Sequence, residues 1–147
     1  MTRSSDPPDK LSIVVFSGDF ARVHYALLLA SGAAAIGRAA TLFFTMEAVH
    51  ALEVPDAAGT PGWARLSVAG PETALECERR YRTAGVAGIE DLIEACRELR
   101  VRFLVCEAGL KATGIEEKDL RADLPIEVAG AVTFLNDASA HGAAMFI

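Results

Sequence analysis

The chain has 147 residues, 52% of them hydrophobic, and a formal net charge of −6, with a mean hydropathy of +0.29 and a pI near 5.0. That length suits one domain with a single core that needs neither disulfides nor metals. The acidic balance argues against nucleic-acid binding, which requires clustered cations to displace counterions from phosphates.

The longest weakly polar run, 26–37, is too short to span a bilayer. Residues 1–10 carry Arg3, Asp6, Asp9 and Lys10 with two prolines and no apolar stretch, unlike a signal peptide. The expectation is a cytoplasmic protein with a flexible tail over 1–10, one α/β domain over 11–147 and no stable membrane insertion. The run 11–16 is apolar but for Ser12 and rich in Ile and Val, as in a strand covered on both faces. Ser17, Gly18 and Asp19 close it. Ser17 or Asp19 suits a helix cap, and Gly18 permits a tight strand-to-helix turn.

A helix is predicted over 20–36, apolar around most of its circumference and therefore sandwiched under other helices or in a subunit contact. Gly37 stops it, and 39–44 supplies a second buried strand ending at Thr45. A short helix over 46–52 precedes an excursion, 53–71, that holds six glycines and prolines and the single tryptophan, Trp63. Loops of that length are commonly functional or mobile. Over 72–82 the charge density predicts an exposed helix carrying a reactive Cys77, and Arg79, Arg80 and Arg82 among its glutamates read as a solvated mixed-charge face. Ile89, Leu92, Ile93, Cys96 and Leu99 recur at three- and four-residue steps, so Cys96 belongs to a helix's core face.

Residues 102–105 end a third strand, and Cys106, Glu107, Ala108 and Gly109 follow. Short helical turns are predicted over 108–112 and 115–120, a fourth strand over 126–132 interrupted by Gly130, a last helix over 134–140 and a fifth strand over 143–147 whose Met145, Phe146 and Ile147 are expected to be buried. Alternation of strand and helix predicts a doubly wound, five-stranded, mainly parallel sheet with helices on both faces.

In such sheets ligands and chemistry gather at the carboxyl ends of strands. Cys106 stands there, and a free cysteine is otherwise among the most readily buried residues. Ser17, Gly18 and Thr45 share that rim. An odd count of three cysteines argues against a disulfide framework, and no Cys/His spacing suits zinc. One glycine at 17–19 falls short of a dinucleotide fingerprint, and no GxxxxGK[ST] occurs, so no cofactor is expected.

Several segments carry a family resemblance. They are Leu11-Ser12-Ile13-Val14-Val15-Phe16-Ser17-Gly18-Asp19, Leu42-Phe43-Phe44-Thr45, the strand ending at Cys106, Gly114-Ile115, Val128-Ala129-Gly130-Ala131-Val132-Thr133-Phe134-Leu135 and Met145-Phe146-Ile147. Together they resemble the DsrE/DsrF-like sulfur-relay family. The sequence departs from it at Met46-Glu47-Ala48, where relatives often keep an aromatic and a glycine, and in the excursion.

The resemblance implies a five-stranded doubly wound fold, assembly into oligomers, and a persulfide on Cys106 passed between donor and acceptor proteins. Candidate site residues are Cys106 as the sulfur-bearing group and Ser17, Gly18, Asp19, Thr45, Glu107 and Gly130 around it. A carrier needs no oxyanion hole or general base, and the sequence has no histidine pattern for one. The competing reading is a non-catalytic oligomeric binding module that holds a small molecule or a protein tail over Ser17, Thr45 and Cys106.

Overall fold

The computed structural model describes residues 6–147. Of the tail expected over 1–10, residues 1–5 lie outside the described residues, and Lys10 already opens the first strand. The elements are β1 (Lys10–Val15), α1 (Phe20–Ala35), β2 (Ala39–Phe44), α2 (Ala74–Thr83), α3 (Ile89–Glu98), β3 (Arg102–Cys106), α4 (Glu107–Thr113), β4 (Ile126–Ala129), α5 (Ala131–Asp137) and β5 (Ala143–Phe146). Short 3-10 helices lie at Met46–Leu52, Gly62–Arg65 and Glu117–Asp119.

All strands are parallel, in the order β4-β3-β2-β1-β5. Alternation along each strand sorts the side chains. Ile13, Val15, Leu42, Phe44, Phe103 and Val105 enter the main core with α1 and α3, whereas Phe43, Leu104, Cys106 and Ala129 turn to the other face and meet Phe134 of α5. The steps from β1 to β4 all run one way, and the chain then returns past β1 to β5. Right-handed crossovers therefore place α5 on the face opposite α1 and α3.

Asp19 starts α1 by accepting from the Arg22 amide at 3.1 Å, and Gly37 beyond its end takes φ +84°, the left-handed geometry that favours glycine. The excursion is pinned. Trp63 and Leu66 enter the core, the Trp63 indole donates to Glu90 at 2.8 Å, and backbone bonds join Ser67 to Gly18 and Phe20.

Four expectations are corrected. β4 stops at Ala129 because Gly130 becomes the cap of α5, so Val132 is helical and α5 begins three residues early. The helix over 74–83 is not simply exposed. Ala74 and Cys77 face inward, Cys77 is 2% exposed, and its sulfur receives the Arg80 guanidinium at 3.5 Å, so a reactive Cys77 is not supported. At the carboxyl end, β5 is an edge strand pairing with β1 alone, and Phe146 is 69% exposed. The fourth concerns Cys106: a thiol at the rim of the strand ends is expected to be accessible, and it is 7% exposed.

Asp137, at the end of α5, clamps the sheet from below. It accepts from Thr41 at 2.5 Å and pairs with Lys10 at 2.9 Å and Arg102 at 2.6 Å. Burial pushes its pKa up, but hydrogen bonds from Thr41, Lys10 and Arg102 outweigh that and hold the carboxyl below the usual aspartate value of 3.8. A depressed native pKa means that the unfolded chain takes up the proton first. The stabilisation is complete above that ordinary value and is lost as pH falls through the native one. Asp137→Asn should cost about 2 kcal/mol at neutral pH. Denaturant melts at a series of pH values should show the gap to the parent chain closing below pH 3.8; a gap that stays constant would refute the clamp.

Candidate functional site

The connections after β3 and β4 leave for opposite faces. Leu110 of α4 joins the main core, while Phe134 of α5 joins the opposite cluster. The carboxyl ends of β3 and β4 therefore flank a topological switch point, where a crevice forms between diverging loops. Cys106 and Ala129 are register partners at that place. Cys106 is also the residue immediately before α4, with extended backbone angles.

Its side chain lies in a small apolar cluster with Phe43, Leu104, Ala129 and Phe134. Phe43 and Phe134 stack with ring centroids 5.0 Å apart and planes 15° apart, which roofs this part of the sheet. Gly130, next to Ala129, has nothing within 4 Å of where a Cβ would stand, so the crevice is open on that side.

What seats Cys106 is the contact of α4 with the turn after β2. A Cβ on Gly109 would stand 2.7 Å from the Met46 amide nitrogen and 3.1 Å from Thr45 Oγ1. Met46 itself takes φ 49°, a left-handed angle that costs a non-glycine residue roughly 1–2 kcal/mol. Thr45, 6% exposed, is thus a packing partner beneath α4. From Glu107 an open groove of about 550 Å³ runs along Leu110, Lys111, Gly114, Ile115, Glu116 and Glu117.

Ser17, Gly18 and Asp19 gather elsewhere. They line a recess of about 280 Å³ with Glu47, His50, Arg65, Leu66 and Ser67, and neither Cys106 nor Thr45 lines it. Ser17 Oγ accepts from the Asp19 amide at 3.1 Å, and Asp19 caps α1, so both serve the turn. His50 is held between Glu53 at 2.5 Å and Glu47 at 3.3 Å, and Glu53 also pairs with Arg65 at 2.9 Å. The sequence had not singled out His50, Glu53, Arg65 or Gly109. Of these only Gly109, a glycine just after a strand-end cysteine, carried a local signal.

The other two thiols are enclosed in the main core. Cys96 is fully buried, its thiol donates to the Leu27 carbonyl at 3.6 Å, and burial pushes its pKa up to about 12. Among the described residues no group of three or more His, Cys, Asp or Glu side chains is placed to hold a metal ion, and no helix is long and apolar enough to cross a membrane.

The chain folds as a doubly wound parallel sheet with Cys106 at a strand end, and comparison identifies its family. The family model for DsrE/DsrF/DrsH-like proteins matches residues 62–146. The chain belongs to that family, a sulfur-relay family. It is 27% identical over 159 aligned positions to the uncharacterized protein YrkE of Bacillus subtilis, covering 94% of this chain and 96% of that one. To the sulfur carrier protein DsrE2 of Allochromatium vinosum it is 26% identical over 158 positions, covering 94% and 98%. The crystal structure of YchN from E. coli superposes with a TM-score of 0.54 at 16% identity, over 95% of this chain and 99% of that one, and shares the fold.

Proposed function

We propose that the protein is a cytoplasmic sulfur carrier that holds a persulfide on Cys106 and passes it between donor and acceptor proteins, working as a homo-oligomer. The observation that carries this reading is the place of Cys106. It is the one cysteine at the carboxyl ends of the strands, beside an open crevice, while Cys77 and Cys96 are enclosed in the main core. A relative named as a sulfur carrier supports it.

The chemistry asks little of the surroundings. The Cys106 thiolate attacks the outer sulfur of a donor persulfide, a new S–S bond forms, the donor's S–S bond breaks, and the donor cysteine departs as a thiolate. An acceptor thiolate then attacks the same outer sulfur and releases Cys106. No net oxidation occurs, and no general base is needed once the thiolate is present. Glu107 and the groove beyond it offer the approach for a partner's tail.

Incubating the reduced protein with a persulfide donor should raise its intact mass by one sulfur atom. Cys106→Ser should abolish that gain, and Cys77→Ser and Cys96→Ser should leave it in place. A protein that takes up no sulfur would favour the binding module, with the recess at Ser17, Gly18 and Asp19 as its site.

A further inference from the structure

The face of the sheet that carries α1 is unevenly covered. α1 packs on β1 and β2 with α3 beside it, and β5, the edge strand next to β1, lies beyond them. The parallel register matches Leu11 with Ala143 and Ile13 with Met145, and Ile13 belongs to the main core, so these four side chains turn to the α1 face. Met145 is nevertheless 40% exposed, and Ile36, which closes α1, is 66% exposed. Between α1 and β5 runs an open groove of about 350 Å³, floored by Leu11, Ala143 and Met145 and walled by Leu28, Leu29, Gly32 and Ile36.

Two features of the groove point to a ligand. Gly32 lies inside α1, where glycine is less favourable than alanine, yet nothing lies within 4 Å of where its Cβ would stand. No close contact within the chain requires that glycine, and its missing side chain keeps the groove wide. The charged lining is also one-sided. Lys10 and Arg38 border the groove and no carboxylate does, in a chain with 20 acidic residues against 14 Lys and Arg. Lys10 is committed to Asp137 at 2.9 Å, whereas the Arg38 guanidinium has no ion pair or hydrogen bond among the described residues. Nor is it needed to close α1, because the carbonyls of Gly32, Ala33 and Ala34 already accept from the amides of Ile36, Arg38 and Gly37.

We infer that the groove binds a straight-chain fatty acid, with the carboxylate on Arg38 and the acyl chain laid along α1. From Leu28 to Ile36 the helix rises about 12 Å, the span of about ten carbons in a zigzag of ~1.5 Å C–C bonds. Spread over that length, 350 Å³ makes a channel roughly 6 Å across. Such a channel admits one acyl chain and is too narrow for a helix, which measures ~10–12 Å with its side chains. An extended peptide is disfavoured by its chemistry. Apart from Lys10 and Arg38 the lining has no polar side chain, so peptide amides on this floor would lose water without gaining partners. Methylenes carry no such groups, and the planar guanidinium takes a carboxylate through two parallel hydrogen bonds. The groove's charged end lies at the amino ends of β1 and β2, opposite the strand ends that hold Cys106, and the inference is independent of the carrier reading.

Calorimetric titration of the full chain with decanoate at neutral pH tests the site. Decanoate should bind saturably, one molecule to each chain. Arg38→Gln should weaken it about tenfold or more, the size expected for losing a charged hydrogen bond. Gly32→Leu, whose side chain fills the channel, should abolish binding, with circular dichroism unchanged in both variants. Absence of saturation by about 1 mM decanoate would overturn the proposal and leave the groove to a protein surface, whether a second copy or another partner. Affinity unchanged by either substitution would overturn it as well, since decanoate would then sit elsewhere.

Discussion

Phe134→Ala is expected to cost roughly 3–5 kcal/mol, the range for deleting a buried aromatic ring, and to make Cys106 the fastest-alkylating thiol by a wide margin. Phe134 is the buried anchor of α5, and its ring lies on Phe43 in the cluster that holds Cys106. Removing it leaves an apolar void over β2 and β3 and loosens the helix that roofs them. A loss of that size is a large part of the roughly 5–15 kcal/mol total stability of a domain.

Iodoacetamide labelling of the native protein, mapped by peptide mass, reads the second half of the prediction. In the parent chain Cys106 should label first and slowly, and Cys96 last, because full burial and its raised pKa deny it a thiolate. In the variant Cys106 should speed up more than Cys96. Equal acceleration of both would mean global unfolding and not a lost roof; an unchanged rate would mean that Phe134 does not guard the thiol.

The strands were legible in the sequence where apolar residues run nearly without a break. Leu11 to Phe16, broken only by Ser12, and the run ending at Cys106 read as apolar stretches because α1 and α3 cover one face of the sheet, while α5 covers the other over β2 and β3. Gly37 and Asp19 could be assigned for local reasons, a left-handed stop and a cap. Where two elements meet head to tail, local pattern gave out. Gly130 inside an apolar run looked like an interruption of a strand, yet it is the hinge into α5, and periodicity alone does not separate a short strand from the first turn of a buried helix.

Hydrophobicity alone predicts burial of Met145 and Phe146. Their exposure follows from strand order, which the sequence does not print. Cys77 shows the converse. Its charged neighbours suggested a solvated helix, but Ala74 and Cys77, three residues apart, form an inward stripe too narrow to stand out among the arginines and glutamates. The candidate site divided for a similar reason. Ser17 and Cys106 share a sheet edge, but they end strands separated by β2, and the turn after β2 fills the space between with Met46–Leu52.

Gly109→Ala and Gly32→Ala should move stability in opposite directions. Both glycines sit inside helices, so both substitutions gain the same conformational term, up to about 1 kcal/mol in favour of alanine. At Gly32 nothing lies within 4 Å of the new Cβ, and the gain should appear as a higher unfolding midpoint. At Gly109 the Cβ meets the Met46 nitrogen at 2.7 Å and the Thr45 Cα at 3.0 Å. These are backbone atoms of a turn already strained at Met46, φ 49°, and they have no rotamer by which to withdraw.

Overpacking of that kind costs about 1–3 kcal/mol or more, which exceeds the propensity gain and pushes α4 away from the end of β2. Cys106 immediately precedes α4, so displacement of the helix displaces the thiol. Sulfur uptake should therefore fall in Gly109→Ala and stay at the parent level in Gly32→Ala. Paired denaturation curves and intact-mass measurements decide the case. If both variants gained stability, the seat of α4 on Thr45 and Met46 would be looser than described, and the positioning role of Gly109 would be lost with it.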